Sequence, residues 1–79
     1  MSKQNEYRTK DLYIASFLSL SEKLLRLEPE SDFYWFVFEN RKRCEEIVNS
    51  YWQEESKVET RAFVNAIKSL KSRIFSENN

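Results

Sequence analysis

Arg41-Lys42-Arg43, and the wider set Arg61, Lys68 and Lys71, are the residues of this chain whose type and spacing suit a chemical task, and that task is holding an anion. Three consecutive cations at a helix start oppose the helix macrodipole, so local stability does not ask for them there. A phosphate gripped by backbone N–H groups and basic side chains would. Against this stands a plainer reading, a solvated turn balanced by Glu45 and Glu46, four residues after Arg41 and Lys42. Further on, Arg61 and Lys68 are two helical turns apart on one line with Lys71 beside them, and Val64 and Phe75 interleave. Basic residues mixed with apolar ones suit a nucleic-acid backbone or an acidic protein. The bland alternative is a polar face whose long stems lie along the core.

Other chemistry is poorly served. The chain has no histidine, so a serine or cysteine nucleophile lacks its commonest base. Glu45 and Glu46 are adjacent, point some 100° apart on a helix, and cannot flank one bond. Cys44 is the only cysteine, which excludes an internal disulfide and a multi-cysteine zinc site. It falls on an apolar stripe, where cysteine behaves as an inert small hydrophobe. No Asp-x-Asp loop offers a calcium site. We expect no enzyme activity, no cofactor, no metal and no small-molecule substrate.

The elements that position these residues follow from pattern. Seventy-nine residues with 41% hydrophobic and 15% aromatic content make one domain, residues 1–79, with 1–5 and 76–79 expected to fray. Thirteen basic and thirteen acidic residues cancel, so any electrostatic partner meets a local patch. Those patches exist: residues 44–59 carry five acids against Lys57, and residues 60–79 carry Arg61, Lys68, Lys71 and Arg73 against Glu77. No apolar run reaches membrane length and no cleavable leader is visible, which predicts a cytoplasmic protein without a membrane partner. Glycine is absent, so positive φ angles must fall to Asn, Asp or Ser, and tight hairpins are disfavoured.

Thr9 reads as the cap of a helix over KDLYIASFLSL, with Asp11 in its first turn. Tyr13, Ile14, Phe17, Leu18 and Leu20 fill one arc of it, while Ala15, Ser16 and Ser19 leave a small-residue side, which places this helix centrally. KLLRLE alternates, with Leu25 and Leu27 on one face and Leu24, Arg26 and Glu28 on the other. Pro29 to Asp32 reads as a four-residue turn, and FYWFVFE as the second strand of a hairpin. EYR, residues 6–8, has the pattern of a short third strand. Asn40 caps a helix with Cys44, Ile47, Val48 and Tyr51 on its core stripe. Thr60 caps a last one with Phe63, Ala66, Ile67, Leu70 and Ile74 on one face. The fold class is α+β: an antiparallel hairpin, three-stranded if EYR joins it, with three helices in the order (β)αββαα.

The aromatic strand poses a problem of cover. Phe36 and Phe38 should face the helices with Leu25 and Leu27, which leaves Phe33, Trp35 and Val37 on an outer face beside Arg26. Such a patch is a candidate interaction face, with a second copy of the chain or another protein upon it and Trp35 as anchor. The competing expectation is that a terminal segment or the third helix folds over it.

The head YRTKDLYIASFL, the strand FVFEN and the tail AIKSLKSRIF resemble a bacterial and phage-associated family of small domains, domain of unknown function 5659. Thr9, Asp11, Leu12, Tyr13, Ala15, Phe17 and Leu18 match its head, as do Phe36 to Glu39, Tyr51, Leu70 and Lys71 further on. The resemblance covers nearly the whole chain and implies the same small α+β fold. It implies no activity and no site residues. Members tend to carry glycine around the hairpin, which this chain lacks. Together these observations predict a non-enzymatic binding module. One version is a nucleic-acid-associated accessory protein using Arg41, Lys42, Arg43, Arg61, Lys68 and Lys71. The other is a protein-interaction or self-association module, a homodimer included, using the face of Arg26, Phe33, Trp35 and Val37.

Overall fold

The computed structural model describes residues 5–53 and 59–78. Its elements run β1 (Glu6–Thr9), α1 (Leu12–Leu18), β2 (Leu24–Glu30), β3 (Phe33–Glu39), α2 (Arg41–Trp52) and α3 (Thr60–Asn78). The three strands form one antiparallel sheet in the order β1-β3-β2. EYR is thus a strand, and it makes the aromatic β3 the central one, hydrogen-bonded along both edges.

One side of the sheet carries the core. Phe36 and Phe38 are sealed there against Ile14, Ala15 and Leu18 of α1, Cys44 of α2 and Leu70 of α3. Helix α1 is central, as its small-residue side requires: Ile14 to Leu18 are all buried, and α2 and α3 both pack on it. Its cap is Asp11, not Thr9. The Asp11 carboxylate accepts from the N–H groups of Tyr13 (2.8 Å) and Ile14 (3.0 Å), while Thr9 closes β1 and its hydroxyl accepts from Asp11 N–H. The helix stops at Leu18, which leaves Leu20 outside it.

Three further details depart from expectation. The hairpin turn is two residues, Ser31-Asp32, since Glu30 pairs with Phe33. With no glycine in the chain, Ser31 takes the positive φ of 47° that such a turn demands. The faces of β2 also differ, because a bulge at Leu25 breaks the alternation. Leu24 pairs with Phe38 and Arg26 with Val37, so Leu24 and Leu27 are the residues packed on the core. Finally, α3 starts at Thr60 with the Glu59 carboxylate accepting from Ala62 N–H at 2.9 Å, and it continues through the tail to Asn78. The expected loop over residues 54–59 lies mostly outside the described residues.

Candidate functional site

The outer face of the sheet is built by register. Arg8 of β1 and Arg26 of β2 both sit opposite Val37, one on either side of the central strand, and Glu28 sits opposite Trp35. Alternation puts all five on the face away from the helices. Arg26 lays a two-pronged bond on Glu6 (2.9 and 3.1 Å) and donates to Glu28 at 2.7 Å, while Arg8 reaches Glu28 at 2.8 Å. These two carboxylates hold the Arg26 guanidinium well above its ordinary pKa, Glu6 most of all. The Arg8 guanidinium also lies 5.1 Å from the Trp35 ring centre and the Lys10 ammonium 4.9 Å from that of Phe33, and the two rings meet edge to face at 5.5 Å. Cations suit these ring faces because of the ring quadrupole. Val37 ends fully buried under this lattice.

Cover for the aromatic face therefore comes from the chain's own N-terminal strand and its charged side chains. Arg26, Phe33, Trp35 and Val37 are together, as expected, but Arg26 acts as a roof over the apolar residues rather than as a free contact. Sequence reading could not find Glu6 and Arg8 as parts of this arrangement, because their partners are set by strand register some twenty residues away.

At the start of α2 two of the three cations, Arg41 and Arg43, are spent on the chain itself. Arg41 bonds Glu45 at 3.1 Å, and Arg43 meets Glu22 at 3.5 Å and Glu46 at 4.0 Å. Glu46 thus belongs to Arg43, where sequence spacing paired it with Lys42. The helix end is also occupied from within. Asn40, at a left-handed φ of 65°, accepts from Arg43 N–H through its side chain. Cys44 is fully buried one turn in, its thiol 3.5 Å from the Glu39 carbonyl it donates to. Burial pushes that thiol up to about 11, with the charges of Glu22 and Glu45 adding to the effect.

A thiol so placed should react slowly, since the thiolate is the nucleophile. Native protein at neutral pH is expected to take up a thiol reagent far more slowly than protein in denaturant; equal rates would show Cys44 to be accessible. The sign for stability follows too. The folded state favours the neutral thiol, so its contribution is complete below the unfolded value near 9 and is lost as pH rises toward about 11. Cys44→Ala should remove that part of the alkaline destabilisation.

Helix α3 differs from α2. It is 19 residues long, packs chiefly on α1, and Leu70 is the one buried residue among those described in it. Arg61, Val64, Lys68, Lys71 and Phe75 lie within an arc of about 80° at 100° per residue. All five are exposed, Val64 to 40% and Phe75 to 70%. No acid shares that arc, and among the described residues no ion pair engages Arg61, Lys68 or Lys71. Arg8, Arg26, Arg41 and Arg43, in contrast, are all paired. The structure thus brings three of the six sequence-named cations into one line on α3 and keeps the other three apart at the head of α2.

A cavity of ≈ 350 Å³, open to solvent, lies at the hairpin tip between Lys10, Leu12, Asp32, Tyr34, Phe36 and Ile74. It draws on four separate elements or their flanks, which no local motif could signal. Among the described residues no group of His, Cys, Asp and Glu could hold a metal ion, and no helix is long and apolar enough to cross a membrane.

Residues 4–76 match the family model described as Domain of unknown function (DUF5659), so the chain belongs to that family. Among curated proteins and among solved structures, nothing matches it.

Proposed function

We propose that this member of the family is a non-enzymatic binding module that docks on an anionic partner through α3. The observation that carries the reading is the contrast among its cations. The arginines of the sheet and of the α2 head are neutralised by neighbouring carboxylates, whereas Arg61, Lys68 and Lys71 stand exposed in line on α3. A cation already paired has little left to offer a partner; a row without acids raises the local potential for an anionic one. The missing histidine and the buried, weakly acidic Cys44 favour binding over catalysis. A nucleic-acid-associated role in a bacterial or phage setting is one form of this reading, with α3 as its contact. Self-association through the Trp35 face has less support, since that face is roofed by Arg8 and Arg26.

Charge reversal tests it. Native protein should bind poly-L-glutamate or mixed-sequence nucleic acid at low salt, with affinity falling as salt rises. Lys68→Glu with Lys71→Glu should lose that binding while keeping the helical spectrum, since both side chains are exposed. Arg41→Glu should have the smaller effect. Equal binding by the α3 variant, or no salt-sensitive binding by the native protein, would defeat the reading.

A further inference from the structure

Resting on that reading, we infer that the partner of α3 is an acidic amphipathic helix of another protein, laid along the stripe Arg61-Val64-Lys68-Lys71-Phe75. The spacing is the first ground. These residues follow one another at intervals of three, four, three and four, the repeat of a helix–helix seam. The stripe runs roughly 21 Å along α3 at 1.5 Å per residue, enough for about four turns of a partner helix. A second helix presents side chains at the same intervals over that length.

The second ground is what stands between the cations. Val64 and Phe75 are among the most exposed large apolar residues of the chain and sit about 16 Å apart on the same line. Phosphates are strongly solvated, and an isopropyl group such as that of Val64 offers them nothing. On a partner helix, an apolar residue opposite each of the two would be buried, and this non-directional gain adds to the charge contacts. Charge decides the rest. With no acid anywhere in the arc, Arg61, Lys68 and Lys71 call for carboxylates opposite them, and like-charged helices are turned away. The adjoining flank of α3 is Asn65, Ser69, Ser72 and Ser76, all exposed and uncharged, which separates the stripe from Arg73, the other exposed cation of this helix.

A second copy of this chain is a poor occupant. Glu45 and Glu46 of its α2 are adjacent, so they cannot both face one seam, and they are engaged by Arg41 and Arg43.

The experiment uses the full chain and a stabilised helical peptide carrying leucines eleven residues apart with glutamates between them on one face. A scrambled peptide of identical composition is the control. Fluorescence anisotropy should show the patterned peptide binding about tenfold or more tighter than the scrambled one. Val64→Ser should weaken the patterned peptide severalfold and so narrow its lead over the scrambled one. Lys68→Glu with Lys71→Glu should abolish both. Equal binding of the two peptides, or indifference to Val64→Ser, would overturn the helical partner. Duplex and single-stranded nucleic acid run in parallel as a separate arm. If only nucleic acid binds, and Lys68 and Lys71 control it, the helical partner is wrong while docking through α3 stands. If no probe binds in a way that depends on those lysines, both fall.

Discussion

Phe38→Ala is expected to remove a large share of the protein's stability. Phe38 sits on the central strand, fully buried, with Tyr7 opposite it on one side and Leu24 on the other. It belongs to the core cluster shared by α1, α2 and α3, so no surface loop can relax into the space it would leave. Removing a buried phenylalanine costs about 3–5 kcal/mol. A domain of this length holds on the order of 4–12 kcal/mol in total. Urea denaturation followed by far-UV circular dichroism measures the loss directly. A change below about 1 kcal/mol would mean that the core is loosely packed around the central strand. Val64→Ala on α3 is the contrast: an exposed position should move stability by no more than about 0.5 kcal/mol.

The order of elements was legible in the sequence because the apolar periods are strong and the chain is short. Cys44, Ile47, Val48 and Tyr51 mark the inner side of α2, and Phe36 and Phe38 the inner side of β3, without help from tertiary structure. The details that escaped share a physical cause, namely a choice between nearly equivalent local solutions. Thr9 and Asp11 can both cap α1, and the carboxylate takes the role because it reaches two N–H groups at once. Leu24 and Leu25 can both face inward, and a bulge decides for Leu24. A two-residue turn without glycine looked costly, yet Ser31 accepts the positive φ, and the apolar pairing of the two strands offsets the strain. The candidate site was legible in part for the same reason. The α3 stripe depends on helical spacing alone. The neutralisation of Arg43 depends on Glu22, which only the tertiary fold brings near.

The outer face of the sheet shows how the chain answers its own surplus of aromatics, and Trp35→Ala tests that answer. In this fold Trp35 is partly covered from within: Arg8 stacks over its ring, Phe33 meets its edge, and Glu28 opposite ties Arg8 and Arg26 into place. Truncation removes a large apolar surface from a half-covered site and frees Arg8 from its ring contact. Full burial of such a side chain is worth about 1.5–3 kcal/mol, so a half-covered one loses about 1–1.5 kcal/mol, and the cation–ring contact adds about 0.5–1 kcal/mol. The expected result is a folded protein about 1.5–2.5 kcal/mol less stable, with the same mass in solution before and after substitution. A double-mutant cycle with Arg8→Ala should show a coupling near the lower of those figures, because Arg8 keeps Glu28 when the ring is gone. An interface role gives the opposite pattern, with stability nearly unchanged and a drop in mass on size-exclusion chromatography with light scattering. Should the variant match the native protein in both melting and mass, Trp35 neither holds the lattice nor meets a second copy. Arg26 would then roof Val37 alone, held by Glu6 and Glu28 without help from the aromatic pair.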